Sequence, residues 1–343
     1  MTKSDTDSAE RMVQEAREFY SDTPGQAKRP WHITTIGRIV VFLFCIAVSL
    51  IISLRPLGLD KDYQNYLEYY NSILQGASVN VEVGYKILVW LNAGLGIGFL
   101  GVLFVFAFIA VYGKCVLLRR LPGARKLDWL YFGLLYFLTF FPLWELTQIR
   151  NAAAVAVCCL ALLEEKKLNA LVYFLAAILL HNVSFMILAL WLVQRYFNRF
   201  KYAIIGAVVV VVSVLLKYMP YYESYAADIY AEKFNPFSLK VLFIIVTFGY
   251  VQISKSRQAK IFSYYSLGLL LFYFAMGKMP AAAVRVADIS LFFTVLSLSI
   301  TRGSLDWIYK TATLLALGYM FTSISYFGAA KLVDLSVIPF ASF

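Results

Sequence analysis

Long apolar runs, parted by short polar clusters, recur from about residue 33 to the C-terminus. A helix that crosses a bilayer needs about 20 apolar residues, and several of these runs approach that length. None shows the alternation of period two that a membrane barrel strand would carry. The pattern predicts an all-α polytopic integral membrane protein with about 10–12 transmembrane helices. Spans are expected at about 33–54, 99–118, 128–145, 202–218, 241–254, 261–277, 286–301 and 305–325. Two further apolar stretches flank a charged turn, Glu164-Glu165-Lys166-Lys167. Residues 81–98 hold an apolar segment too short to span, ended by Gly94, Gly96 and Gly98, and read as a half-inserted or interfacial helix on the outer side. Two longer polar stretches rich in tyrosine and acids, about 55–81 and 218–240, read as outer loops. Residues 1–32 form a hydrophilic tail and residues 33–343 a single polytopic domain. A polar tail ahead of the first apolar run is not the layout of a cleaved signal, so the first span is expected to stay.

Charge sets the direction of travel. Lys28, Arg29 and Arg38 flank the first span and place its start, with the N-terminus, in the cytoplasm. Arg119, Arg120, Arg125 and Lys126 form a second basic knot on that side. Residues 168–193 are ambiguous: one long span, or two short ones broken at His181-Asn182. Only the broken form returns Arg195, Arg199 and Lys201, and then Lys255, Arg257 and Lys260, to the cytoplasmic side, as the positive-inside rule prefers. Non-helical backbone below a membrane surface is tolerated only against protein or a wet cavity. The break therefore predicts a cavity at His181.

Composition narrows the classes. The chain has 343 residues, 61% of them apolar, which is not the make-up of a soluble domain. The net charge of +11 invites a nucleic-acid reading, but the cations gather between spans on one side, so no nucleic-acid partner is expected. Cys45, Cys115, Cys158 and Cys159 all fall in apolar runs without Cys/His ligand spacing, which points to packed or lipid-facing thiols and to no metal.

The candidate chemistry centres on the stretch from Leu146 to Leu190. Arg150 opens its first helix, His181 closes its second, and both lie equally far from the centre of the charged turn. In an antiparallel pair they share a height of about 23 Å above that turn at 1.5 Å per residue. Ionisable groups inside a membrane are costly and are functional candidates by default. Plainer readings stand beside this one. Arg150 could snorkel to the outer surface, His181 could be a turn residue bonded to backbone, and Arg285 could pair with Asp288 on its own helix turn. Tyr63, Tyr66 and Tyr70 share one helical face, either as an interfacial belt or as a platform for sugar rings.

In order along the chain, Gly58–Asn71, Glu82-Val83-Gly84-Tyr85-Lys86-Ile87-Leu88, Gln148-Ile149-Arg150-Asn151, Leu180-His181-Asn182-Val183-Ser184, Arg285 and the ending Val337-Ile338-Pro339-Phe340 resemble the motifs of EpsG/Wzy-type polysaccharide polymerases. The likeness spans about 33–340. It departs from the family pattern at Lys61-Asp62, at Asn151 where glutamine is common, and at Ser184, which sits one place late. The resemblance implies a GT-C-like glycosyltransferase architecture in a bacterial inner membrane, with its site facing outward and no cofactor or metal. Its donor and acceptor would be undecaprenyl-pyrophosphate-linked oligosaccharides, reached through membrane lipid, and a chain-length regulator is a further partner to consider.

In that frame Arg150 and Arg285 suit the departing pyrophosphate, because a guanidinium is always charged and binds phosphate oxygens through its fork. His181 would take the proton of the attacking hydroxyl or bind a phosphate oxygen. Asp62 is the remaining catalytic candidate. Asp60, Tyr63, Tyr66, Glu82, Gln148, Asn151 and Lys278 are candidates for holding substrate. A ligase-like transferase and a flippase of lipid-linked oligosaccharide are the competing functions. Internal repeats, common in transporters, are not visible.

Overall fold

A computed structural model describes residues 34–60, 62–121, 124–215, 234–327, 332–334 and 337. The N-terminal tail, most of the 218–240 loop and the Ile338-Pro339-Phe340 motif lie outside the described residues. The regular elements among them are all helices, with no strand. The order is α1 Thr35–Ser53, α2 Tyr63–Leu74, α3 Val83–Gly94, α4 Phe99–Arg120, α5 Lys126–Phe140, a π-helical stretch Phe141–Thr147, α6 Ile149–Leu162, α7 Lys167–Leu180 and α8 Ser184–Tyr196. Then follow α9 Lys201–Leu215, α10 Leu239–Ile253, α11 Arg257–Ala275, α12 Pro280–Ser299 and α13 Asp306–Thr322. Four helical stretches are long and apolar enough to cross a membrane: Thr35–Ser53, Phe99–Arg120, Lys126–Thr147 and Pro280–Ser299. The chain is an all-α polytopic membrane protein, and α12, the most enclosed of these four, runs through its core.

Local chemistry sets the helix ends. Thr34, Ser238 and Ser256 start α1, α10 and α11 by accepting a backbone N–H on the side-chain oxygen. Asp128 folds back to accept the N–H of Arg125 at 2.7 Å, and Arg302 and Lys310 also bind it, which fastens the start of α5 to α13. Gly96 and Gly98 take φ of +69° and +77° in the turn after α3, a region that favours glycine.

Three features depart from the sequence reading. The rising helix after Lys126 is not α-helical to its end. Pro142 has no N–H to donate and its ring crowds the preceding turn, and the helix widens into the π-helical stretch there. The apolar pattern begins a span at 286, which leaves Arg285 just ahead of it. Instead α12 begins at Pro280, which suits a first helical position, and Arg285 stands in its second turn. Tyr63, Tyr66 and Tyr70 do share a face of α2, but that face is buried against Phe99 and Tyr85. It forms neither an interfacial belt nor an open platform.

The expected break at His181 is present. The N–H of His181 closes α7 on Ala177, His181 itself is extended, and its carbonyl accepts the N–H of Ser184 at the start of α8. The two helices fold back on each other. Phe174 and Trp191 meet with ring centres 5.4 Å apart, and Lys167 at the start of α7 lies over Tyr196 at the end of α8. One continuous helix would hold those pairs tens of ångströms apart, at about 1.5 Å per residue. The C-terminal segment returns to the start of the first outer loop, where Asp334 donates its N–H to Leu59 at 2.7 Å and Val333 bridges to Asp60.

Candidate functional site

The site is assembled where α3 lies across the end of α7. Gly84 makes this approach possible: a Cβ there would stand 2.4 Å from the carbonyl oxygen of Leu179. Gly84 is two residues past Glu82, and Leu179 is two residues before His181. The close packing of one pair therefore brings the other together. The Glu82 carboxylate is shared, one oxygen meeting Nδ1 of His181 and the other accepting from Nη1 of Arg150. The three side chains are mostly enclosed, with 7% of Glu82, 16% of Arg150 and 17% of His181 exposed.

Aromatic rings hold the guanidinium in place. Its central carbon lies 5.4 Å from the Tyr66 ring centre, 5.7 Å from Tyr85 and 5.9 Å from Tyr69. Such contacts favour a cation once water is removed. Tyr85 donates to the carbonyl of Tyr66 at 2.8 Å, which ties α3 to α2 inside this cage. Snorkelling into lipid headgroups does not describe an arginine so enclosed.

The two outer aspartates part company. Asp60 is buried, its Oδ2 accepting from Arg55 at 2.6 Å and its Oδ1 from the N–H groups of Asp62 and Tyr63. Both oxygens are engaged, one on Arg55 and the other on the start of α2. Asp62 stands in the field of Arg285 and Arg150 instead, and burial lifts its carboxyl above the usual value against their pull. Arg285 acts electrostatically on Asp62, Tyr66 and His181 alike, so α12 contributes a second cation to the same region. Asp288, one turn along from Arg285, takes Lys240 as an ion-pair partner, rather than the arginine that the plainer sequence reading supplied.

The other candidates are more peripheral. Tyr63 packs on Phe99 with Arg55 over its ring. Asn151 is buried beside Arg150 and donates to Gln148 at 3.2 Å. Lys278 is exposed in the turn between α11 and α12. Sequence reasoning passed over Tyr69 and Tyr85 as parts of the cage, and also Lys240, Lys114 and Glu145. The last two were visible as lone charges in apolar runs, but nothing local signals an ion pair between residues 31 apart.

Two expected outcomes follow from this geometry. The Gly84→Ala variant forces its methyl against backbone rather than a flexible side chain, so α3 must lift off α7 and Glu82 leaves His181. Misplacement of about 1 Å can cost about 100-fold in rate, and activity is expected to fall by that order with membrane abundance retained on immunoblots. The second concerns acid. Burial works to raise the Glu82 carboxyl, but the hydrogen bond from His181, with the charges of His181 and Arg150, overcomes it and holds the group at about 2, below the usual 4.5. A depressed carboxyl stabilises the fold fully above pH 4.5 and loses that contribution as pH falls toward 2. Melting curves of the purified protein should show a steeper loss of stability below about pH 4.5 than those of the Glu82→Gln variant.

A family model described as the EpsG family matches residues 38–342, almost the whole chain. No curated protein and no solved structure matches it.

Proposed function

We propose, from the chain's belonging to the EpsG family, that it is a polysaccharide polymerase that joins lipid-linked oligosaccharide repeat units by metal-independent glycosyl transfer. The observation that carries this reading is the Glu82 carboxylate shared by Arg150 and His181, with Arg285 in the same field. Donor and acceptor are oligosaccharides on undecaprenyl pyrophosphate. The site faces the periplasmic or outer side of a bacterial plasma membrane, and the N-terminus lies in the cytoplasm, as the basic clusters at the opposite ends of the helices favour.

The residues divide the work as follows. A sugar hydroxyl of the acceptor attacks the anomeric carbon of the growing chain. The new C–O bond forms as the bond from that carbon to the diphosphate breaks, and lipid diphosphate leaves with the bonding pair. Its growing negative charge meets the guanidinium groups of Arg150 and Arg285, fixed before the reaction and so requiring no rearrangement during it. The hydroxyl proton passes to Nε2 of His181. Glu82 accepts from Nδ1–H, which selects the tautomer with Nε2 unprotonated and turns that nitrogen toward the substrate. Asp62 orients the acceptor sugar on the Arg285 side.

Purified protein in vesicles, supplied with undecaprenyl-pyrophosphate-linked repeat units, should yield a ladder of polymer lengths and one released lipid diphosphate per bond formed. Transfer of finished polymer to a different lipid acceptor, with no ladder, would identify a ligase instead. Movement of the intact lipid-linked unit across the vesicle membrane without bond formation would identify a flippase.

A further inference from the structure

One ionic network lies deeper than the site and takes no part in the chemistry above. Lys114 of α4 and Glu145 of the π-helical stretch are 5% and 1% exposed and meet at 2.7 Å. Lys114 also donates to the carbonyls of Ala110 and Ala152, each at 3.3 Å, and Tyr136 donates to the same Glu145 oxygen. The other Glu145 oxygen has no hydrogen-bond partner among the described residues. Stability does not account for such a pair. Replacing a buried ion pair with well-packed apolar groups is often neutral or favourable, and an unpaired buried oxygen adds a further cost.

Position does account for it. The π-helical stretch ends at Thr147, the ψ of 53° at Gln148 breaks the helix before α6 resumes at Ile149, and Arg150 is the next residue. A wide turn followed by a break leaves the direction of α6 poorly fixed by its own backbone bonds. Lys114 holds both sides of that break, Glu145 before it and Ala152 after it, against α4. Helix α4 is also the frame for Glu82, because Tyr85 of α3 stacks on Phe106 at 5.9 Å. We propose that Lys114 and Glu145 are positioning residues that set where Arg150 meets Glu82.

The test needs a readout that a merely structural pair would leave alone. Melting temperatures of the purified full chain are measured for Glu82→Gln, Arg150→Gln and the double variant. The same set is repeated in a background carrying Lys114→Met with Glu145→Gln, which removes both charges and keeps an acceptor for Tyr136. Positioning gives non-additive shifts in the wild-type background and additive shifts in the neutralised one. Coupling that survives neutralisation, or shifts already additive without it, overturns the proposal. Where the neutralised pair does not fold, Lys114→Arg takes its place: reduced coupling supports the proposal and unchanged coupling overturns it. Chain extension supplies a separate arm, which rests on the polymerase reading, with an expected fall of about 100-fold in the neutralised background. Lost coupling with undiminished extension leaves the positioning role standing and counts against Arg150 as part of a polymerase site.

Discussion

The His181→Ala variant is expected to extend chains about 10²–10⁴-fold more slowly than the wild type, with the protein still folded and in the membrane. His181 terminates α7 through its backbone N–H, which alanine also supplies, so the break between α7 and α8 should persist. What disappears is the one proton acceptor that Glu82 fixes in a defined orientation. The His181→Gln variant separates the two roles open to this side chain. Glutamine can donate to a phosphate oxygen but cannot take a proton at neutral pH. A base predicts that His181→Gln is as slow as His181→Ala, whereas a phosphate partner predicts that most of the activity returns. Ladder formation by membranes of equal protein content measures both variants.

Arg150 carries the second large effect. Loss of a single preorganised donor from a site of developing negative charge costs about 10²–10³-fold in rate, and Arg150→Ala should reach that range. This variant also leaves the buried Glu82 with His181 as its only remaining partner of the two, and breaking a buried pair on one side destabilises by about 3–5 kcal/mol. The Arg150→Lys variant is the cleaner comparison. It keeps the charge and a partner for Glu82, yet a point-like ammonium has no fork and spreads poorly over the faces of Tyr66, Tyr69 and Tyr85. Chain extension is expected to fall about 100-fold with melting behaviour close to the wild type. Single-turnover rates with a bound lipid-linked donor measure it, and a rate unchanged by Arg150→Lys would remove the fork from the mechanism.

The sequence carried the outline of this arrangement and lacked its links. Apolar run length exposed the helices, and the positive-inside count placed a break at His181 where no glycine or proline marks one. The equal distances of Arg150 and His181 from the charged turn put them at one height, and they do share a carboxylate. The sequence alone points that carboxylate at substrate, because nothing in the local pattern says that Glu82 faces inward. Its orientation follows from the contact of Gly84 with Leu179, residues far apart in the chain. The tyrosines of α2 gave the right periodicity, but period alone does not say which side of a helix is buried. In the fold Pro142 stands where one helix widens and Pro280 where another begins. The Lys114–Glu145 pair shows the same limit most sharply, since each residue is conspicuous alone and their meeting is purely tertiary.

The most direct measurement is an electron cryomicroscopy structure of the protein in a lipid nanodisc with a non-hydrolysable lipid-diphosphate sugar bound. The account expects the diphosphate against the guanidinium groups of Arg150 and Arg285, and the anomeric carbon facing Nε2 of His181 while Nδ1 remains on Glu82. Diphosphate density lodged elsewhere in the bundle, with the cluster of Glu82, Arg150 and His181 closed to it, would contradict the account.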